Sequence, residues 1–168
     1  MIVKRVKAYF EKRKERKRIS EQYALEKACV ECFNNCVPHV DDLTKLVENI
    51  PIGWDGLPLL VKSDNNSSPL QAVKALIPHD WDEMRLYYGD YPYLYTPEWV
   101  IQIKDFPSEL WLSVEDYPRP TRPTLLLCEY SSGHYEVVEY TDKTWVTELC
   151  FPVKPTRYFV LDFLAENK

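Results

Sequence analysis

Glycine is scarce in this chain of 168 residues, which contains only four, at positions 53, 56, 89 and 133. The closest pair, Gly53 and Gly56, has no further glycine near it. Walker loops and dinucleotide-binding fingerprints need several glycines within a few residues, because only a backbone without side chains fits closely around phosphate groups. The sequence therefore excludes both of these nucleotide-binding motifs.

Long apolar runs are also missing, since the longest are short blocks such as Leu59-Leu60-Val61 and Leu125-Leu126-Leu127. A membrane-spanning helix needs about 20 apolar residues. The N-terminus is basic, but no apolar segment of the kind found in secretion signals follows Ile2-Val3. Five cysteines, an odd number, then favour reduced thiols. We therefore expect a cytoplasmic protein with no membrane contact.

Three of the cysteines form a cluster with a histidine: Cys29, Cys32, Cys36 and His39. Thiolates and imidazole are typical zinc ligands, but structural zinc sites usually take two ligand pairs from separate elements. Here all four residues fall within eleven positions at the end of one predicted helix. The alternative interpretation, which we favour, is that the cysteines form a small apolar stripe. We predict no metal and no other cofactor.

Catalytic groupings are equally weak. Cys128 and His134 flank one predicted turn, but Cys128 follows a run of leucines, and burial among leucines makes a thiol unreactive. His79 lies beside Asp80, yet neighbours in sequence do not make a catalytic triad. We predict no catalytic residues and a protein that is not an enzyme.

The net charge of −5 conceals a strong separation of charge along the chain. Residues 1–18 contain nine lysines and arginines against two glutamates, a local charge of +7, so the remaining 150 residues carry −12. Within them, residues 80–118 contain nine acidic residues against two basic ones, a local charge of −7. Such a separation bears on binding partners and solubility rather than on the fold.

Helices are predicted mainly in the N-terminal part. Residues 3–36 contain no proline or glycine and are rich in Lys, Glu, Arg, Ala and Leu, which favours one long helix. A short second helix is predicted after Asp41 or Asp42. Ser68 followed by Pro69 predicts the start of another helix that extends through Ile77.

The remaining pattern predicts β-structure, with a hairpin turn at 131–133. The predicted strands cover 57–62, 99–103, 110–114, 125–130, 135–140 and 157–163. We therefore predict an α+β fold in which N-terminal helices precede a mixed central region and a C-terminal antiparallel β-meander. The predicted division is a helical N-terminal region, 1–48, and an α+β domain, 49–168.

Part of this C-terminal region carries a recognisable pattern. Trp111-Leu-Ser113-Val114-Glu-Asp116-Tyr-Pro118 is followed by an apolar strand, by Gly133, and by a hairpin that ends at Tyr140, with Trp145 beyond it. The pattern resembles the DUF551 family, small domains common in phage and prophage proteins that open with Trp-x-Ser-Val-x-Asp-x-x-Pro. The resemblance covers about residues 110–163. It implies a small β-rich module of phage or mobile-element origin and supplies no catalytic residues.

A dense run of tyrosines between residues 87 and 95 is the least ordinary segment of the chain. Prolines and a glycine favour an extended backbone here, which would place Tyr91, Tyr93 and Tyr95 on one face. Tyrosine is enriched at protein interfaces, although such rings also serve to cover a core. The acidic neighbours repel phosphate and favour a protein partner. We predict a partner-binding surface within residues 80–118 that comprises Tyr87, Tyr88, Tyr91, Tyr93, Tyr95, Trp99, Asp80, Asp82, Asp90 and Glu98.

The basic N-terminus allows several interpretations. A merely solvated helix face is one, an acidic protein partner is another, and an anionic membrane surface is disfavoured because residues 11–18 offer no apolar face. The alternative function is contact with nucleic acid through residues 4–18. Its predicted phosphate-binding residues are Lys12, Arg13, Lys14, Arg16, Lys17 and Arg18. The opposite charges of residues 1–18 and residues 80–118 would also allow self-association.

Overall fold

The computed structural model describes residues 1–36, 50, 56–63, 70–77, 83–93, 95–141 and 154–164. In this part of the chain, one long helix is followed by two antiparallel sheets, which confirms the predicted α+β class with its C-terminal meander. The predicted helix after Asp41 and the histidines His39 and His79 lie outside the described residues.

The elements are, in chain order, α1 (Ile2–Cys36), β1 (Leu57–Ser63), β2 (Leu70–Leu76), β3 (Arg85–Tyr88), β4 (Tyr91–Pro92), β5 (Pro97–Gln102), β6 (Leu112–Ser113), β7 (Thr124–Glu129), β8 (Tyr135–Tyr140) and β9 (Arg157–Phe163). Two 3-10 turns, Ile103–Asp105 and Ser108–Leu110, connect β5 to β6. No described helix is both long and apolar enough to cross a membrane.

The first sheet has the strand order β4-β3-β2-β1-β5, and the second has the order β6-β9-β7-β8. In the first, the apolar strand β1 pairs with β2 on one side and with β5 on the other. In the second, β7 and β8 form a hairpin and β9 returns along the other side of β7. Gly133 in the hairpin turn has a φ of 80°, a conformation that glycine adopts without strain.

The predicted helix from Ser68 to Ile77 is wrong, because residues 70–76 form strand β2. This strand lies inside the first sheet, where it pairs with β1 and with β3. Helix propensities of Ala, Leu and Lys are worth only tenths of a kcal/mol per residue. Backbone hydrogen bonding on two sides, together with the burial of Val73 and Leu76, outweighs them.

The main core joins the second half of α1 to both sheets. It contains Phe33 from the helix, Leu60 from the first sheet and Leu126 and Phe159 from the second. The Phe106 ring stacks on Phe159 with 4.6 Å between ring centroids. Full burial of each such side chain contributes roughly 1.5–3 kcal/mol. The second half of the helix is therefore part of the same core as the strands.

The buried stripe of α1 consists of Gln22, Glu26, Cys29 and Phe33. Their spacing of four, three and four residues is that of a helix face packed against a neighbour. The sequence pattern instead indicates a stripe of Leu25 and the cysteines, of which Leu25, Cys32 and Cys36 are only partly buried. Two polar side chains thus occupy positions that a pattern of apolar residues cannot reveal.

The carboxylate of Glu26 is fully buried and accepts hydrogen bonds from Thr121. The Thr121 backbone N–H lies 3.0 Å from Oε2, and the Thr121 hydroxyl donates to Oε1. Burial raises the pKa of Glu26, an effect that the bonds from Thr121 and the charge of Arg122 oppose. Glu26 therefore ties α1 to the proline-rich loop between β6 and β7.

Gln22 extends this contact one turn earlier. Its amide donates to the Arg119 carbonyl at 2.6 Å and to the Tyr158 hydroxyl at 3.2 Å. The Tyr158 hydroxyl donates in turn to the Tyr117 carbonyl at 3.0 Å. Helix, loop and strand β9 thus meet in one buried polar network, which we call the Gln22–Glu26 network.

Glu26→Gln tests the energetics of this network. Because the folded chain holds the Glu26 proton to higher pH than the unfolded chain, the stability contributed by this carboxyl is greatest below its unfolded pKa, about 4.3. It is then lost as pH rises through the folded pKa. We expect the free energy of unfolding of wild type, measured in urea, to fall relative to that of Glu26→Gln as pH rises from about 4 to about 7. A difference that is independent of pH contradicts this account, and Glu31→Gln, on the exposed side of the same helix, is the control.

Candidate protein-binding surface

The tyrosine segment begins with a tight hairpin at the edge of the first sheet. Tyr88 pairs with Tyr91, so the turn between β3 and β4 consists of Gly89 and Asp90. Gly89 has a φ of 59°, which two-residue hairpin turns require and which glycine supplies at no steric cost. The hairpin thereby places Asp90 at its exposed tip, directly beside Tyr91.

Tyr91 and Tyr95 lie on the surface, with 77% and 46% of their areas exposed. Among the described residues, all other exposed large apolar side chains belong to α1 or to Met1 just before it. The structure differs from the expected shared face at Tyr93, which is partly buried against a second, smaller core cluster that contains Leu59, Val61 and Val73 of the first sheet. Its backbone N–H bonds to Leu86 at 2.8 Å, which draws this residue inward, while its ring meets the Tyr95 ring edge-on at 5.8 Å.

The other predicted aromatic residues take part in packing. Tyr88 lies against the smaller core cluster, and Trp99 packs on the main core with its ring 6.3 Å from that of Phe33. Tyr87 is half-buried and lines a cleft between the two sheets. The exposed aromatic surface is thus smaller than the predicted set and centres on Tyr91 and Tyr95.

The acidic members surround this surface unevenly. Asp90 is exposed at the hairpin tip, whereas Glu98 is paired with Lys62 across β5 and β1 at 3.4 Å. Glu83, which the predicted set omits, is exposed just before β3. Asp80 and Asp82 lie outside the described residues. We call Asp90, Tyr91 and Tyr95 the tyrosine edge.

A small cleft of about 60 Å³ lies between the two sheets, where Pro58 of β1 and Ala72, Val73 and Lys74 of β2 form part of its lining. Gly89 and Tyr87 line it from one sheet, and Gly133, His134 and Tyr135 line it from the other. It adjoins the tyrosine edge through Gly89, so a partner bound at the edge has a depression beside it.

The cysteine cluster is distributed over two environments. Cys29 is buried, and its thiol donates to the Leu110 carbonyl at 3.0 Å. Burial raises the pKa of Cys29 to about 11, so its thiol stays protonated at neutral pH. Cys32 and Cys36 are partly exposed on the same helix. Within the described residues, no three side chains of the metal-binding types converge on one point.

Cys128 and His134 do not share an environment either. Cys128 is fully buried in β7, and burial raises the pKa of its thiol far above its usual range. His134 lies on the β7–β8 turn, where its Nε2 is 3.2 Å from a carboxylate oxygen of Glu136. A thiol held protonated in the core is not an effective nucleophile.

The predicted phosphate-binding residues are mostly exposed. Residues 1–17 are exposed on every side of α1, which includes five of the six predicted phosphate-binding side chains. Arg18 is half-buried, where it pairs with Glu15 at 2.7 Å and donates to Gln22 at 3.3 Å. Arg18 therefore belongs to the edge of the Gln22–Glu26 network.

Comparisons with protein families, with curated proteins and with solved structures find no match to this chain. The resemblance of residues 110–163 to the DUF551 family therefore stays a prediction.

Tyr91→Ala and Tyr93→Ala test whether the Tyr91 ring lies on the surface and the Tyr93 ring packs against the smaller core cluster. We expect Tyr91→Ala to change the free energy of unfolding by less than about 0.5 kcal/mol, as exposed positions usually do. Tyr93→Ala should cost roughly 1–3 kcal/mol, because it removes a ring packed against the smaller cluster. Urea unfolding of both variants measures the difference. Equal losses at the two positions would show that Tyr91 is also needed for packing.

Proposed function

We propose that this protein is a non-enzymatic, cytoplasmic interaction protein that binds a cationic protein segment through the tyrosine edge. The observation that carries the proposal is the exposure of Tyr91 beside Asp90, on a hairpin that a glycine turn fixes in place. Exposed tyrosines on a fixed backbone provide large contact area at little entropic cost. The phage or mobile-element origin suggested by the family resemblance is part of the same proposal.

Charge supports a cationic partner. The 150 residues that follow residue 18 carry a net charge of −12. Asp90 within the edge is exposed, and Glu83, two residues before β3, is exposed together with one cation, Arg85. Arginine and lysine groups would be drawn to this side by long-range attraction, and they also stack favourably on tyrosine rings.

A second candidate function is binding of nucleic acid by the first five turns of α1. It is favoured by the exposure of residues 1–17, which place eight cations and two glutamates in solvent. A helix of this charge would neutralise several phosphates without reading sequence.

An oligoarginine peptide tests the first function. We expect it to bind the full chain, and Tyr91→Ala to weaken the binding by about 1–3 kcal/mol, the range for interface anchors. Isothermal titration calorimetry measures the affinity. The matched control compares Asp90→Lys with Glu139→Lys, which makes the same charge change on an exposed residue of β8. Equal weakening by these two variants would mean that net charge alone attracts the peptide and that the edge is not the site.

A single-stranded oligonucleotide tests the second function. If residues 4–18 bind phosphate, the logarithm of the affinity should fall linearly with the logarithm of salt concentration. Lys12→Glu combined with Lys14→Glu should then weaken binding and flatten this slope by about one unit for each phosphate that the helix no longer neutralises. Fluorescence anisotropy measures both quantities. An affinity that the two reversals leave unchanged would rule out this use of the helix.

A further inference from the structure

Exposed apolar side chains occur in two places among the described residues, and these places carry opposite charge. One is the tyrosine edge. The other is α1, where Met1, Ile2, Val3, Val6, Tyr9, Phe10 and Ile19 are exposed. The first ten residues also contain Lys4, Arg5 and Lys7 and no acidic residue. The helix start is therefore apolar and cationic, whereas the tyrosine edge is aromatic and acidic.

The apolar residues at the start of α1 lie on one side of the helix. Ile2, Val6 and Phe10 are four residues apart, and Val3 and Tyr9 flank them. At 3.6 residues per turn these five positions fall within about a third of the helix circumference, and the three cations fall outside it. Val6 is 47% exposed and Phe10 is 53% exposed. We call these five residues the N-terminal seam.

The N-terminal seam does not face the body of its own molecule. Counted at about 100° per residue, its centre lies roughly half a turn around the helix from the buried stripe of Gln22, Glu26, Cys29 and Phe33. Residues 1–17 are exposed on all sides, so this part of α1 extends beyond the body. From Ile2 to Gln22 the helix rises about 30 Å. An unbroken helix cannot bend the seam back onto its own tyrosine edge.

We infer that the N-terminal segment of one chain docks on the tyrosine edge of a second copy, with the seam against Tyr91 and Tyr95. Lysines and arginines beside the seam meet the exposed carboxylates of Glu83 and Asp90. The inference rests on the proposed function, because it names the cationic segment that the tyrosine edge binds. Two bodies of net negative charge repel each other, and the segment of residues 1–18, at +7, is the part that offsets this repulsion.

Sedimentation equilibrium of the full chain at low and at high ionic strength is the first test. We expect association at low ionic strength and weaker association at high ionic strength, because salt screens exposed charges. A chain that is monomeric under both conditions overturns the inference. If such a monomer still binds oligoarginine in a Tyr91-dependent manner, the proposed function stands without self-association.

Point variants of the full chain then test the two surfaces. Phe10→Ser should weaken association roughly tenfold or more, the effect of losing an apolar anchor. Ala8→Ser, an exposed position outside the seam, should have no effect. Both positions are exposed, so both variants should fold, and circular dichroism is the check on this. Equal association of the Phe10 and Ala8 variants overturns the assignment of the seam.

Charge reversal identifies the surface that the seam contacts. Arg5→Glu with Lys7→Glu, the two cations that flank the seam, should abolish association, and so should Glu83→Lys with Asp90→Lys. A chain that carries all four changes should associate again, because attraction is restored with the signs exchanged. If the four-residue variant stays monomeric, or if reversal of Glu83 and Asp90 alone leaves association intact, the segment does not dock on the tyrosine edge.

Discussion

A buried carboxylate is tolerated in a protein only where hydrogen bonds replace the water it loses. Glu26 meets this requirement through Thr121, and that requirement fixes the path of the loop between β6 and β7. Gln22 holds the same loop at Arg119 and reaches Tyr158 in β9. One stretch of helix thereby determines where the loop, and the sheet that the loop enters, lie against α1.

The regular parts of the fold follow from local pattern, and the connections between them do not. The long helix agrees with what its composition predicts, and the strands at 57–63, 124–129 and 157–163 agree with the apolar pattern, because these strands bury apolar side chains. Local pattern predicts strand β2 wrongly. Its residues favour a helix, but pairing with β1 on one side and β3 on the other makes the segment a strand. The burial of Gln22 and Glu26 is not predicted either, because charged and amide side chains on a helix normally face solvent.

At the tyrosine edge, too, the sequence predicts one part of the site, and the folded structure decides the rest. The abundance of tyrosine between residues 87 and 95 marks the segment in the sequence. Which rings are exposed depends on a hairpin that turns at Gly89 and on a hydrogen bond that holds Tyr93 inward. Period-two alternation assumes a continuous strand, whereas β4 is only two residues long. Exposure is therefore set by the turn, and the spacing of the tyrosines does not reveal it.

The length of α1 has a mechanical consequence. It runs for 35 residues with no glycine or proline, about 50 Å of stiff rod, and only its second half is embedded in the body. The exposed first half acts as a lever arm, because the first buried residue that holds the helix to the body is Gln22. A sideways load on the exposed first half is multiplied by the distance along the helix before it reaches Gln22. The bonds nearest to that point are those that Gln22 makes with Arg119 and Tyr158, so such a load acts first on the attachment of α1 to the loop and to β9.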